Sequence, residues 1–243
     1  MKRSVKFKEA FMKVFRVLGL MTLVVMVSAW PSNAQEGTWG VGAFANYNVP
    51  TFGFGDWYGN ETKFGLSASY VPSSKVTVEV EFHRGSFSNG ALETLPFTWT
   101  DGKEYTSPNA KSGLTLNSFL VNGLVKLRQI GDPFVASSFA SYIAVGGGFY
   151  RYKNDVSGML WPGQANALVH ELEPFTDERF SLGFNAGLGV EAFIINNVAV
   201  DIRARYNMMI GNFRPMEDWG LEETFPLQMF DIGAGLKFYF SGK

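Results

Sequence analysis

Glu79 and Glu81 stand two residues apart in one stretch of this chain, and Arg203 and Arg205 stand two apart in another. Asp201 precedes the arginines by two positions, Glu191 closes the run before them, and Asp231 and Lys237 lie near the C-terminus. In an extended strand alternate side chains share a face. Strands brought side by side would therefore join these carboxylates to guanidinium and ammonium groups. Such pairs serve either as a fixed polar filling, which is the expectation here, or as a gate whose pairs exchange to pass a solute. His83 continues the Glu79–Glu81 spacing, with Ser86 three residues on. A base must lie within hydrogen-bond reach of its nucleophile, and the compact His-x-Ser spacing is absent, so catalysis is not expected. His170 reads as a solvated loop residue, and two lone histidines make no metal site. With no cysteine, disulfides and thiolate metal centres are excluded. Neither metal nor cofactor is expected.

The elements that carry these residues follow a basic leader. Lys2, Arg3, Lys6, Lys8, Lys13 and Arg16 against Glu9 precede an apolar run, Val17 to Ala29, and then Pro31-Ser32-Asn33-Ala34. Basic, apolar and small-x-small segments in that order form a secretory signal, with cleavage expected after Ala34. The apolar run is shorter than the ~20 residues a spanning helix needs. Residues 1–34 are thus set apart from a single domain, 35–243. The whole chain carries a net charge of −1; removing six bases and one acid leaves the mature protein near −6. No basic patch survives that would suit nucleic acid.

Period-two alternation recurs along the mature chain. Phe230, Ile232, Ala234, Leu236, Phe238 and Phe240 oppose Asp231, Gly233, Gly235, Lys237 and Tyr239. Val198, Val200, Ile202, Ala204, Tyr206 and Met208 oppose Ala199, Asp201, Arg203, Arg205 and Asn207; Phe180, Leu182, Phe184, Ala186, Leu188 and Val190 oppose Ser181, Gly183, Asn185, Gly187, Gly189 and Glu191. Three earlier strands begin near Trp39, Lys63 and Val76. A fourth, about Leu114–Leu127, has Leu114 and Leu116 out of phase with Phe119, Val121 and Val125, which a bulge would reconcile. In the fifth, about Phe139–Tyr152, Gly146-Gly147-Gly148 blurs the faces. The total is eight strands.

Connections alternate in length. Val71–Lys75, Arg128–Pro133 and Ile195–Asn197 are short; Asn48–Thr62, Gly85–Gly113, Lys153–Arg179 and Gly211–Leu227 are long. Volume then decides which face is inside. An eight-stranded barrel barely accommodates its interior side chains, and the phenylalanine-rich faces are too bulky for it, whereas Gly, Ser and Asn with scattered charges fit. The apolar face therefore points outward, where only lipid suits so large a band. Hydrocarbon offers no partner to an open strand edge, so the first and last strands must pair. The expected fold is an all-β, eight-stranded antiparallel up-and-down transmembrane barrel with short periplasmic turns and long extracellular loops. Trp39, Tyr47, Tyr70, Phe82, Tyr206 and Phe240 are expected at its two interfaces.

Gly235-Leu236-Lys237-Phe238-Tyr239-Phe240 resembles the Gly-x-x-aromatic-x-aromatic assembly signal of outer-membrane barrels, with Ser241-Gly242-Lys243 following it. Ala144-Val145-Gly146-Gly147-Gly148-Phe149-Tyr150 is similar to a glycine-rich strand common among them. Over essentially all of the mature sequence the chain resembles the OmpA/OmpX/OmpW-like superfamily of small outer-membrane β-barrels. The resemblance implies location in the outer membrane of a Gram-negative-type bacterium. It also implies that Gly235, Phe238 and Phe240 are read by the barrel-assembly machinery, and that the partners are outer-membrane lipid and lipopolysaccharide, with the protein a monomer.

Some eight-stranded relatives modify lipid A with His, Ser and an acid, which leaves His83 as a third-ranked candidate. Aromatic-rich loop segments (Phe52, Phe54, Trp57, Tyr58; Phe97, Trp99; Met159-Leu160-Trp161; Phe213) either cap the barrel mouth, the preferred reading, or bind an extracellular ligand. Glu171, Glu173, Asp177, Glu178 and Glu217, Asp218, Glu222, Glu223 could hold divalent cations shared with lipopolysaccharide. The leading expectation is a non-enzymatic barrel of structural or surface-interaction type; the alternative is a narrow pore or an OmpW-like conduit for small or apolar solutes.

Overall fold

Alternation builds strands where it was expected, and they close on themselves. The computed structural model describes residues 36–88, 97–98, 103–105, 110–163, 168–211 and 225–241; the leader lies outside these. The strands are β1 (Thr38–Thr51), β2 (Glu61–Ser73), β3 (Val76–Phe87), β4 (Phe97–Thr98), β5 (Glu104–Tyr105), β6 (Ala110–Ile130), β7 (Phe139–Gly163), β8 (Leu168–Ile195), β9 (Val198–Ile210) and β10 (Leu227–Ser241). β4 and β5 pair only with each other; the other eight form a closed antiparallel barrel in chain order, with β1 paired to β10. Closure runs from Thr38↔Ser241 to Thr51↔Gln228 without a register shift, so no edge of that seam meets lipid.

The bulky apolar face of each strand lies outside and the small polar one lines the bore. Phe180, Ile202 and Leu236 are 72%, 48% and 56% exposed on the outer wall, the surface that acyl chains cover. Phe184 shares their orientation. Trp39 packs against Tyr70 in a tilted contact at 4.7 Å between ring centroids and pairs with Phe240, which places these three at the end of the short turns. Tyr47 and Tyr206 lie toward the opposite end. Phe82 lies farther along β3, between Leu66 and Phe119 and two residues before Arg84.

Two expectations about the strands are corrected. β6 contains no bulge against β3, because its register is continuous from Leu114↔Phe87 to Val125↔Val76. Leu114 and Leu116 are out of phase with Phe119 because they point inward, and both are buried. The irregularity lies lower, between Lys126 and Arg128, against β7. Nor is Lys153–Arg179 a loop. β7 and β8 are 25 and 28 residues long, far beyond the ~9–11 a spanning strand needs, and their pairing extends, with register shifts after Val156 and Leu160, from Lys153↔Glu178 to Gly163↔Leu168. Above the bilayer the outer face of a hairpin meets water, so polar residues there no longer signal a strand's end. His170 accordingly lies in β8, paired with Leu160, and not in a loop. The other long connections are shorter than expected, with β1 reaching Thr51, β3 reaching Phe87 and β6 starting at Ala110.

Candidate functional site

The bore is filled in three layers. At the long-loop end, Gly53–Trp57 forms one short helical turn, α1. It carries Phe54 into a cluster with Tyr58, Phe87, Leu114, Leu116, Leu120, Tyr150, Tyr152, Met209, Leu227 and Met229. Phe54 meets Phe87 edge-on at 5.5 Å, and the Tyr58 hydroxyl donates to Asn154 Oδ1 at 2.6 Å. The first loop's aromatics therefore do cap the mouth, from within, while Phe52 is left outside. At the short-turn end, Phe134 lies in the β6–β7 connection. Its ring packs 4.9 Å from Tyr239 and 5.5 Å from Phe193, and its carbonyl accepts from the Asn197 N–H at 2.9 Å. A positive φ of 61° at Phe134 turns the chain there.

Between these apolar layers lies the charged one. All eight residues singled out from their spacing are buried inside the barrel: Glu79, Glu81, Glu191, Asp201, Arg203, Arg205, Asp231 and Lys237. Arg203 Nη1 reaches Glu79 at 2.7 Å and Glu81 at 2.5 Å, and its Nη2 engages Asp201. Arg205 Nη1 bonds Glu81 at 2.6 Å. Lys237 Nζ sits 2.6 Å from Glu79 and 2.5 Å from Asp201. The Tyr142 hydroxyl donates to Asp201 and the Tyr239 hydroxyl to Glu191, each at 2.5 Å. Removing such charges from water is costly, and only dense mutual pairing of this kind sustains it.

Lys63 also belongs to the network, 2.6 Å from Asp231, although its spacing alone did not single it out. The signal was present, since Lys63 shares the inward phase of Gly65 and Ser67. Tyr142 was hidden by the glycines that follow it. Among Asn46, Ser67, Asp201, Arg203 and Lys237 remains a cavity of about 10 Å³, at the lower limit for one water.

His83 lies in the same layer, its Nε2 2.6 Å from Glu81 Oε2 and its ring 4.8 Å from Phe44. Ser86 is exposed on the opposite face of β3. Strand alternation thus separates the two by the thickness of the wall, and no nucleophile–base contact forms between them. Among the described residues no group of His, Asp or Glu is arranged to hold a metal ion.

On the extended β7–β8 hairpin the acids are matched by bases: Glu178 lies 2.7 Å from Arg151, Asp177 2.7 Å from Arg179, and Asp155 2.9 Å from Lys153. These carboxylates are not the open set a shared divalent cation would need. The side chains of Glu171 and Glu173, and residues 217–223, lie outside the described residues, as do the side chains of Phe97, Trp99, Met159, Leu160, Trp161 and Phe213. The hydrogen bond from Arg151 holds the Glu178 carboxyl below its ordinary range, and bonds from Thr176 and then Lys153 do the same for Asp155. A depressed carboxylate contributes stability above its unfolded pKa and loses it as pH falls through the folded value. Protection factors, taken against the intrinsic exchange rate at each pH, should therefore fall at amides 153–158 and 175–178 as pH drops below about 4, while those within the barrel hold. An equal fall in both regions would contradict this.

Several solved barrels have similar architecture. Neisserial surface protein A aligns with a TM-score of 0.50 and 16% identity, covering 84% of this chain and all of its own. Ail, the attachment invasion locus protein of Yersinia pestis, aligns at 0.48 and 11%, covering 85% and 100%. OprG of Pseudomonas aeruginosa aligns at 0.41 and 12%, covering 88% and 100%. At 16% identity the likeness to Neisserial surface protein A speaks for fold alone. No curated protein matches the sequence. The family described as outer membrane protein beta-barrel domain matches residues 18–238; that span takes in the barrel up to the last three residues of β10, and the chain belongs to this outer-membrane family.

Proposed function

We propose that this protein is a closed, non-catalytic outer-membrane barrel that acts through the surface it presents beyond the bilayer, with its bore serving as a rigid filling. The observation that carries this reading is the stacking of the bore: a buried ionic layer held between two apolar ones. A narrow pore or a conduit for apolar solutes would require both apolar layers to part and the pairs around Arg203 and Arg205 to exchange. The separation of His83 from Ser86 favours a non-catalytic role. The ladder that β7 and β8 carry past the bilayer supports an outward-directed one. The leader implies export before cleavage, and the C-terminal Gly235, Phe238 and Phe240 supply the signal for the assembly machinery.

Planar-bilayer recording provides the test. The reconstituted protein should show no discrete conductance steps at high salt. Steps that disappear when Glu79, Glu81, Arg203 or Arg205 is replaced would establish the pore instead.

A further inference from the structure

Charge on the outer wall is confined to one side. Over their whole length β1, β9 and β10 turn only uncharged side chains outward. Arg84, Lys111, Arg151, Lys153, Asp155 and Glu178 all face outward from β3, β6, β7 and β8. Strand register arranges them in rows. Phe82, Phe119, Phe149 and Leu182 are consecutive partners across these four strands, each 47–61% exposed. The next row away from the short turns reads Arg84, Asn117, Arg151, Phe180.

That step from phenyl rings to guanidinium groups marks where hydrocarbon gives way to headgroups. A guanidinium at this height remains charged and is poorly tolerated among acyl chains, so it needs an anion or water. Glu178 engages Arg151 through Nε at 2.7 Å. Arg84 has no ion-pair partner among the described residues. Its Cα lies roughly 10 Å from that of Arg151, two strand spacings away, with the Asn117 amide between them.

We propose that Arg84, Asn117 and Arg151 form a binding site for the phosphate of an outer-leaflet lipid whose acyl chains lie over Phe82, Phe119 and Phe149. The planar guanidinium fork matches phosphate oxygens in paired hydrogen bonds. The adjoining aromatic row selects a lipid over a soluble polyanion, which would use the cations and gain nothing from the rings. The carboxylates of Asp155 and Glu178 sit farther out, each beside its own base, so they do not neutralise Arg84.

The test uses the full protein in phosphatidylcholine nanodiscs doped with lipopolysaccharide, either intact or enzymatically dephosphorylated, with bound lipid read by native mass spectrometry. Intact lipopolysaccharide should be retained, and the dephosphorylated form should not. Arg84→Gln with Arg151→Gln should weaken retention roughly tenfold or more, and Arg84→Lys should keep part of it. Arg84→Gln alone leaves the Arg151–Glu178 bridge in place and decides the matter if the double variant does not fold. Retention indifferent to these changes or to dephosphorylation would overturn the site. So would dextran sulfate competing as well with wild-type protein as intact lipopolysaccharide does, which would point to a soluble polyanion.

Discussion

Replacing Glu81 with leucine should cost about 3–5 kcal/mol of folding stability, the largest effect expected of any charge change in this protein. Glu81 alone touches Arg203 at 2.5 Å, Arg205 at 2.6 Å and His83 at 2.6 Å. Its removal leaves two guanidinium groups short of a carboxylate in a space sealed from water. A surface pair gives no comparable loss, because water replaces the missing partner. The measurement is urea unfolding in lipid vesicles, read by tryptophan fluorescence. Glu81→Leu combined with Arg205→Leu should be less destabilised than the two single losses summed, with a coupling of about 1–3 kcal/mol. Strict additivity would mean that the two side chains do not interact.

Gly148→Ala is the second large effect, and its cause is steric. A β-carbon on Gly148 would lie 2.0 Å from the Phe119 carbonyl oxygen and 2.9 Å from Leu120 Cα, and backbone cannot yield that distance. At Gly146 the same atom would lie 2.0 Å from Asn122 Oδ1 and 2.4 Å from the Val121 oxygen. Both glycines face the bore where β7 closes tightly on β6. Either substitution should cost about 3 kcal/mol or more and reduce the folded, heat-modifiable form seen on gels. Gly113→Ala is the control, since its β-carbon would have only the Phe87 oxygen at 3.6 Å. Wild-type behaviour of Gly148→Ala would mean that the strands are farther apart than described.

The barrel was legible because lipid outside and a narrow bore inside impose opposite demands on alternate residues, and sequences such as Val198–Met208 meet both. Legibility fails where one demand relaxes. Leu114 and Leu116 point inward, yet they are apolar, because the bore near its outer mouth is sealed with hydrocarbon groups. Reading polarity as the mark of the interior therefore suggested a bulge. Along Lys153–Arg179 the lipid has ended, and with it the reason for one face to be greasy. Within the charged layer, spacing could identify which residues turn inward. It could not identify partners such as Lys63 and Asp231, 168 positions apart, because those depend on how the cylinder closes.

The ion pairs that cross the β1–β10 seam bear on how closure finds its alignment. Sliding β10 along β1 by two residues keeps every greasy side chain facing lipid, so alternation alone cannot detect the error. It would move Asp231 by roughly 7 Å, away from Lys63 and from the Asn46 amide that donates to it at 3.2 Å. Lys237 would be carried off Glu79 on the far side of the same join. The buried charges thus act as a key cut for a single alignment, and a barrel zipped shut one notch out would carry bare ions in its middle.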